Sequence, residues 1–534
     1  MPSTPTEADG GHGFDSGWQA GAETVWLPTS EEMSALDAHA ASSGATTERA
    51  LIEVAGREVA RRVQARWPEG RVVAVAGQGH NGGDALVAVR TLQAWGREVA
   101  AVQAGSAAPE PAVLIGSGIE LRPVEDLPVV AAGARALIDG VLGTGLSGPP
   151  RHPQAEVIRT INGLGVPICA VDGPSGADLS TGAVEGACIQ ATLTVALGWP
   201  KLGLLRYPAR RYCGDIEAVE IGFPPPNRPM GARAITGRWV ARRLEPRDGD
   251  AHKGRAGYLA LVAGQSGMAG AAVLAARAAL RGGVGILRVV SDPANREILQ
   301  RSVPGAVFVG WDDEDAVAEA VRWAGAVAIG PGLGRSAERL RLVDYVLADR
   351  EGQTAVVDAD GLSVWEERIP ELQTRLTERD LVTPHPGELA RLLGRSPAAI
   401  AEAAPESARE ATRILGCTVL LKGAPSLVAA GSEPLRVSTV GGAALAPGGT
   451  GDVLTGLIGA YLAAGMTAPD AAMTAMLVSG LAAEASPEPV GHIAADLPDR
   501  FPTVRARVMS LGPPAGPVMF ASYAPGSTPA SGDR

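Results

Sequence analysis

Arg71-Val-Val-Ala-Val-Ala76 runs into Gly77-Gln-Gly-His-Asn-Gly-Gly-Asp84, and a stretch with amphipathic helical spacing, Ala85–Trp95, follows at once. A short β-branched run, a glycine turn and a helix, in that order, form the repeating unit of a parallel sheet, because parallel neighbours need a crossover connection. The same grammar recurs along the chain. In the first half the further apolar runs are Glu98–Val102, Ala136–Ile138, Pro167–Val171 and Ala191–Ala196. In the second they are Tyr258–Ala263, Gly285–Val290, Ala326–Ile329, Thr354–Val357, Asp380–Val382 and Cys417–Leu421. Runs this short and this continuously apolar are strands covered on both faces. The expected fold class is therefore α/β, with parallel sheets flanked by helices in both halves.

A chain of 534 residues is too long for one compact core. The best break is Phe223-Pro-Pro-Pro-Asn-Arg-Pro229, which no helix or central strand could contain. It predicts domains over 25–223 and 234–512 joined by a linker over 224–233, with disordered tails over 1–24 and 513–534. Aromatic residues are only 4% while Gly numbers 69, so the cores must be built from Ala, Val, Leu and Ile. A net charge of −11 argues against a nucleic-acid partner, whose phosphates need a basic face. The longest apolar stretches, such as Gly270–Leu280, are interrupted by Arg and too short to span a membrane, and the N-terminus lacks a signal-peptide pattern. Cys169, Cys188, Cys213 and Cys417 make no CxxC pair, so neither a zinc site nor a disulfide framework is indicated. A cytoplasmic protein without a membrane partner is expected, as a homo-oligomer.

Of the 47 basic residues only Lys201, Lys253 and Lys422 are lysine. Each has a glycine within two positions downstream, in WPKLG, AHKGRAG and LLKGAP. Where arginine serves everywhere else, a surviving lysine marks a place that wants a slim point charge rather than a planar fork. All three are site candidates.

In the first half, polar motifs follow three of the strands: GQGHNGGD over 77–84, Asp139 with Gly143-Thr-Gly-Leu-Ser-Gly-Pro149, and Asp172-Gly-Pro-Ser-Gly176. The carboxyl ends of parallel strands share one edge, where ligands bind, so Asn81, Asp139, Asp172 and Ser175 could converge. The glycines leave N–H groups free at a helix N-terminus, which suits phosphate, and oxygen ligands without Cys or His suit a hard cation. Taken singly, a glycine turn is structural and an Asp after a strand is a helix cap. In combination, Val25–Phe223 resembles the YjeF N-terminal domain, the NAD(P)H-hydrate epimerase family. The resemblance includes LPTSEEMSALDAHA over 27–40, the GxGxNGGD loop, the D-x-x-x-GTGL turn and the DGPSG loop. It implies a Rossmann-like three-layer domain that interconverts R and S forms of hydrated NADH and NADPH (NADHX and NADPHX), with a potassium ion in the site. By motif match the cation ligands would be Asn81, Asp139 and Ser175. Hydrate contacts would come from His80, Asn81, Gly82, Gly83 and Asp84, from Gly143, Thr144, Gly145, Leu146, Ser147, Gly148 and Pro149, and from Asp172, the proton-transfer group. The chain departs from the family at His80 (family Asn), at Glu53-Val-Ala-Gly56 (family ENAG) and at Ala85.

The second half carries His252-Lys253-Gly254-Arg255-Ala256-Gly257, Gly264-Gln-Ser-Gly-Met-Ala-Gly270, Gly330-Pro-Gly-Leu-Gly334, Val357-Asp-Ala-Asp-Gly361, Thr383-Pro-His-Pro-Gly-Glu388 and Lys422-Gly-Ala-Pro-Ser426. Its last motif, Pro447-Gly-Gly-Thr-Gly-Asp452, leads directly into an expected helix, Val453–Ala463. Successive glycine amides before a helix form an anion hole, and an Asp there can take a proton from a hydroxyl as phosphate reaches it. GGTGD alone reads equally well as a capped helix start. It is neither a Walker loop, lacking Gly-Lys-Ser/Thr, nor a Rossmann fingerprint.

HKGxxG, GPGLG, DADGL, TPHPGE, LKGA and GGTGD occur together and in order over Ala234–Leu511. That set resembles the ribokinase-like fold and, more narrowly, the YjeF C-terminal family of ADP-dependent NAD(P)H-hydrate dehydratases. The resemblance implies a kinase-like step that ends as dehydration, with ADP as phosphate donor together with Mg2+. Gly270, Gly334, His385 and Asp452 would face the hydrate, with Asp452 the base. Lys422, Gly423, Ala424, Pro425 and Ser426 would hold the nucleotide with Gly442, Ala443, Ala444, Leu445, Ala446, Pro447, Gly448, Gly449, Thr450 and Gly451. Lys253 would pair with phosphate or with a structural acid. Where the family has GNPGMATGG, the chain reads Gly441-Gly-Ala-Ala-Leu-Ala-Pro-Gly-Gly449. Two further readings stand beside this one: a vitamin-precursor kinase of the same fold, and a first domain that only binds or oligomerises.

Overall fold

A computed structural model of the chain describes residues 23–105, 111–224, 226–244, 256–486, 488, 490–511 and 521–523. His252 to Arg255, including the candidate Lys253, lie outside the described residues.

Two sheets organise the molecule. The first has eight strands in the spatial order Ala521–Tyr523, Asp215–Val219, Leu193–Leu197, Ile168–Val171, Ala136–Gly140, Val72–Ala76, Val99–Gln103 and Leu121–Arg122, all parallel except the antiparallel Ala521–Tyr523. Alternate residues of its central strands feed two separate cores. Val72, Ala74 and Ala76 pack with Ile52, Val59 and Val63 of the helix Glu48–Arg66, while Val73 and Val75 pack with Val157, Ile158 and Ile161 of the helix Gln154–Gly163. This two-sided burial makes a three-layer domain and explains why the strands read as continuous apolar runs rather than alternating ones.

The second sheet has eleven strands: Thr24–Trp26, Ala232–Ile235, Leu435–Ser438, Ser426–Ala429, Thr418–Leu421, Leu381–Val382, Thr354–Val357, Ala326–Ile329, Tyr258–Val262, Ile286–Ser291 and Ala306–Gly310. The run from Thr418–Leu421 to Ala306–Gly310 is parallel, and Thr418–Leu421, Ser426–Ala429 and Leu435–Ser438 form an antiparallel meander. It too is covered on both faces.

Several features depart from the sequence reading. The helix after the strand Val72–Ala76 is His80–Ala94, so it begins inside the polar loop, five residues before the amphipathic pattern does. Gly82 and Gly83 hid it, since glycine is a poor helix former, yet Gly82 is needed: a Cβ there would overlap the carbonyl of Gly77. Likewise the second-domain helix is Thr450–Ala463, which puts Asp452 in its first turn. The all-parallel expectation missed the meander. Thr24–Trp26, expected at the start of the first domain, pairs antiparallel with Ala232–Ile235 at the edge of the second sheet. That puts a strand, Ala232–Ile235, across the expected boundary between the linker and the second domain. Ala521–Tyr523 forms a strand within the stretch read as a disordered tail. Three-residue edge strands carry too little pattern to be read.

The helix Thr450–Ala463 is buried all round from Val453 to Leu462, wedged between the sheet and the helix Ala269–Gly282. The approach of the two helices is set by small residues. A Cβ on Gly456 would overlap the carbonyl oxygen of Ala275, and one on Gly282 would stand 2.7 Å from Leu457. An interior this dense has no slack for a methyl group against backbone. Gly456→Ala should therefore lower stability by about 1–3 kcal/mol although alanine is the better helix former, and thermal unfolding of the full chain reads the loss.

Candidate active sites

The first constellation lies at the carboxyl edge of the eight-stranded sheet. Asp139 ends the strand Ala136–Gly140 and is 1% exposed. Its carboxylate accepts hydrogen bonds from the Ser175 hydroxyl (2.6 Å), the Ser175 N–H (2.9 Å) and the Val141 N–H (3.2 Å). Ser175 Oγ in turn accepts from the Leu142 N–H at 2.8 Å. Asn81, in the first turn of His80–Ala94, donates through Nδ2 to the Val171 carbonyl at 2.7 Å. Its Oδ1 lies 2.5 Å from where a Cβ on Gly143 would stand, so only glycine fits beneath it. Burial raises the Asp139 carboxyl to about 6 against the opposing bonds from Ser175 and Val141. No described residue forms an ion pair with it. A buried carboxylate with hydroxyl and amide oxygens around it, and no basic side chain, is a donor set that fits a hard monovalent cation. Asn81, Asp139 and Ser175 are thus brought together.

Asp172 follows the strand Ile168–Val171 with φ 66, a left-handed backbone that turns its carboxylate back along the sheet edge. It accepts the Leu197 N–H at 2.9 Å and forms an ion pair with Lys201, which is 1% exposed and also donates to the Leu197 carbonyl at 3.0 Å. Asp84 is buried nearby with its Oδ1 unpartnered, and burial, then the charge of Asp172, hold its carboxyl well above the ordinary range. Gly143 to Pro149 form a partly exposed loop beside this cluster, in which Leu146 N–H meets the Gly143 carbonyl at 3.2 Å. His80 points outward to Glu48 at 2.5 Å with its side chain 69% exposed, outside the cluster. Val54, where the family has Asn, is exposed as well.

The second constellation surrounds a cavity of about 780 Å³. Lys422, Gly423, Ala424, Pro425 and Ser426 line it, with Gly442, Ala443, Leu445, Ala446, Thr450 and Gly451 opposite. Ala444 is buried beneath that loop, and Pro447, Gly448, Gly449 and Asp452 stand just outside the lining. Lys422 Nζ is held by Asp358 Oδ1 at 2.7 Å and Glu388 Oε2 at 3.8 Å, and a Cβ on Gly451 would lie 3.6 Å from it. Thr455, one turn into the helix, donates to the other Asp358 oxygen at 2.6 Å. Asp452 is half-buried in that helix's first turn, beside Gly449, whose φ of +90° requires glycine. Burial, then the charge of Asp358, raises the Asp452 carboxyl to about 6 against the pull of Lys422. His385 caps the helix Pro386–Leu393, accepting the Gly387 N–H at 3.0 Å, and lines the same cavity. Gly270 and Gly334 do not line it. The segments that carry them approach at Gly332, where a Cβ would stand 2.8 Å from Ala271, and the Gly334 N–H donates to Asp360 at 2.9 Å.

Asp358, Glu388 and Thr455 were not singled out from sequence. Asp358 carried a usable signal, since it directly follows the strand Thr354–Val357 at the ligand-binding edge. Lys201 stood out by lysine scarcity, but only the structure joins it to Asp172. The apolar lining residues Val440, Leu454 and Met476 carry no signal that separates them from core.

Two family models match: YjeF-related protein N-terminus over residues 48–203 and NAD(P)H-hydrate dehydratase over 259–501. The bifunctional NAD(P)H-hydrate repair enzyme Nnr of Salinibacter ruber is 33% identical over 531 residues, covering 91% of this chain and 97% of its own. The protein of the same name from Pyrobaculum aerophilum is 34% identical over 505 residues (90% and 98%), and that from Escherichia coli K12 is 32% identical over 471 (86% and 89%). Among solved structures, the ADP/ATP-dependent NAD(P)H-hydrate dehydratase of Bacillus subtilis, co-crystallised with ATP/Mg2+, is 29% identical over 51% of this chain and 97% of its own, with a TM-score of 0.45. With both halves matched in order and relatives above 30% identity over nearly their whole length, the chain belongs to the bifunctional NAD(P)H-hydrate repair enzyme family.

Proposed function

We propose that the first site interconverts the R and S forms of hydrated NADH and NADPH, and that the second dehydrates the S form at the expense of a nucleotide phosphate, with ADP the donor. The observation that carries the reading is Asp452: a carboxylate in the first turn of a buried helix, directly after Gly448 to Gly451 and beside the cavity that Lys422 borders. Amide N–H groups of that turn, with the helix dipole behind them, stabilise the charge on a transferring phosphoryl group. Asp452 accepts the proton of the hydrate's C6 hydroxyl as phosphate passes to that oxygen and AMP leaves, and loss of the phosphate from C6 with a proton from C5 restores the double bond of the dihydronicotinamide. Mg2+ bound with the nucleotide would neutralise phosphate charge. Lys422, fixed by Asp358 and Glu388, is a point charge already in place before nucleotide arrives.

In the first site Asp172 is the proton-transfer group at the hydroxyl-bearing carbon, and Lys201 holds its carboxylate in position. Asp84, whose carboxyl is held well above the ordinary carboxylate range by burial and then by the charge of Asp172, is the second buried acid beside it. A potassium ion held by Asn81, Asp139 and Ser175 would add positive charge beneath the loops that receive the hydrate. Coupling the two sites lets the epimerase feed the one form that the dehydratase consumes. Mixed R,S-NADHX with ADP tests the whole: complete conversion is expected, and a stop at the S fraction would mean that the first domain is not an epimerase.

Asp452→Asn keeps the side chain's size and removes its proton acceptor. Dehydratase turnover should fall by about 10²–10⁴ while epimerisation is unchanged, and near-normal turnover would reduce Asp452 to a helix cap. The same base must be ionised to act. With its carboxyl at about 6, kcat/KM for dehydration should be level above that pH and fall about tenfold per unit below it.

Asp139→Ala should abolish monovalent-cation binding and epimerisation in a protein that still dehydrates S-NADHX; equal loss of both activities in a folded variant would overturn the two-site assignment.

Lys422→Arg keeps the charge but puts a larger, planar guanidinium where a compact ammonium sits between Asp358, Glu388 and Gly451. Nucleotide affinity should drop at least about tenfold, which a titration with ADP measures.

A further inference from the structure

The 780 Å³ cavity is not made by the second domain alone. Leu205, Tyr207, Arg210 and Arg211, all from the first domain, form part of its wall. Leu205 ends the short 3₁₀ turn Leu202–Leu205, Arg210 and Arg211 lie in the next, Ala209–Tyr212, and Tyr207 lies between the two. That segment is fixed to the second domain: Arg206, which is buried, donates to the carbonyls of Ala401 (3.3 Å) and Glu402 (2.5 Å) at the end of the helix Pro397–Glu402. Leu204, Leu205 and Ala209 join the apolar core that also holds Leu389 and Ile400. The wall is therefore held by packing rather than resting against the cavity by chance.

Its charge is the second observation. Among the described residues no Asp or Glu lines the cavity, in a chain whose net charge is −11. On the second-domain side the basic lining groups among the described residues are Lys422, whose charge Asp358 and Glu388 offset, and His385, which burial holds towards its neutral form. The guanidinium charge comes from the first domain. Arg210 is buried and donates to the Gly214 carbonyl at 2.8 Å. Arg211 is exposed, with its guanidinium 5.5 Å from the ring centre of Tyr207, itself 52% exposed. An exposed aromatic ring with a cation over it, facing a cavity without carboxylates, is suited to a ligand that pairs a flat base with phosphates.

We propose that Tyr207 and Arg211 of the first domain are nucleotide-recognition residues of the second domain's reaction, contacting the ADP held by Lys422 to Ser426 and the loop over 442–451. The proposal rests on the assignment of that cavity to the nucleotide. Arg211 contributes charge to the phosphates and Tyr207 a face for the base.

Tyr207→Ala, Arg211→Ala and Arg211→Lys in the full chain test it, by equilibrium titration with ADP and by the KM for ADP in dehydration of S-NADHX. Arg211→Ala should weaken ADP binding about tenfold, Arg211→Lys should recover part of that loss, and Tyr207→Ala should weaken binding several-fold. The epimerase rate is the control for folding, since neither residue belongs to that site. Unaltered ADP affinity in both alanine variants, or a rise confined to the KM for the hydrate, would overturn the proposal. Because the titration does not depend on turnover, a wild-type protein that binds ADP without dehydrating the hydrate would refute the proposed reaction and leave the recognition residues to stand or fall by affinity alone.

Discussion

A lysine ammonium held against an aspartate just past the carboxyl end of a parallel strand is the constraint on which both sites depend. Lys201 meets Asp172 in the first domain and Lys422 meets Asp358 in the second. Both aspartates and Lys201 are buried and Lys422 is largely so, and an unpartnered charge of either sign there would be strongly unfavourable, so each partner is obliged to stay where the other is. The consequence is geometric before it is energetic. Asp172 is locked in a left-handed backbone conformation at a sheet edge, and Lys422 is locked under Gly451 at the start of the helix that carries Asp452. Neither site has to find its charges when a substrate arrives. In a chain that otherwise uses arginine for nearly every basic position, both of these positions keep lysine, a compact point charge rather than a planar fork.

The same economy of space runs through the packing. The composition, with few aromatics and many glycines and alanines, is what lets the helix Thr450–Ala463 approach Ala269–Gly282 until backbone meets backbone at Gly456. That contact fixes the direction of the helix, and with it the direction of the amide groups at its first turn.

The α/β class was legible because strands buried on both faces read as short apolar runs, and Ala326–Ile329 and Thr354–Val357 have the bounds their sequence implies. Motif residues at strand ends were legible for the same reason: a parallel sheet collects them on one edge, as it does Asn81, Asp139 and Ser175. What was not legible is instructive. Helix starts hidden in glycine, at His80 and Thr450, have no local propensity to announce them, because tertiary contacts impose the helix there. The meander of Ser426–Ala429 and Leu435–Ser438 follows a strand that read like its parallel neighbours. Asp358 and Thr455 lie 97 residues apart in the chain, and only folding makes their hydrogen bond. The wall formed by Tyr207 and Arg211 belongs to neither motif set, since it arises where the two domains pack.

The two ends of the described chain cross over. Thr24–Trp26 stands at the start of the first domain yet edges the second sheet, and Ala521–Tyr523 follows the second domain yet edges the first. The proline-rich stretch after Phe223 is thus only one of three passages between the sheets. Severing the backbone there would not yield two self-sufficient halves, because each fragment would retain a strand that completes the other's sheet. The molecule is fastened like a clasp, so its two catalysts share a single assembly, inherited and lost together, whatever becomes of the covalent link between them.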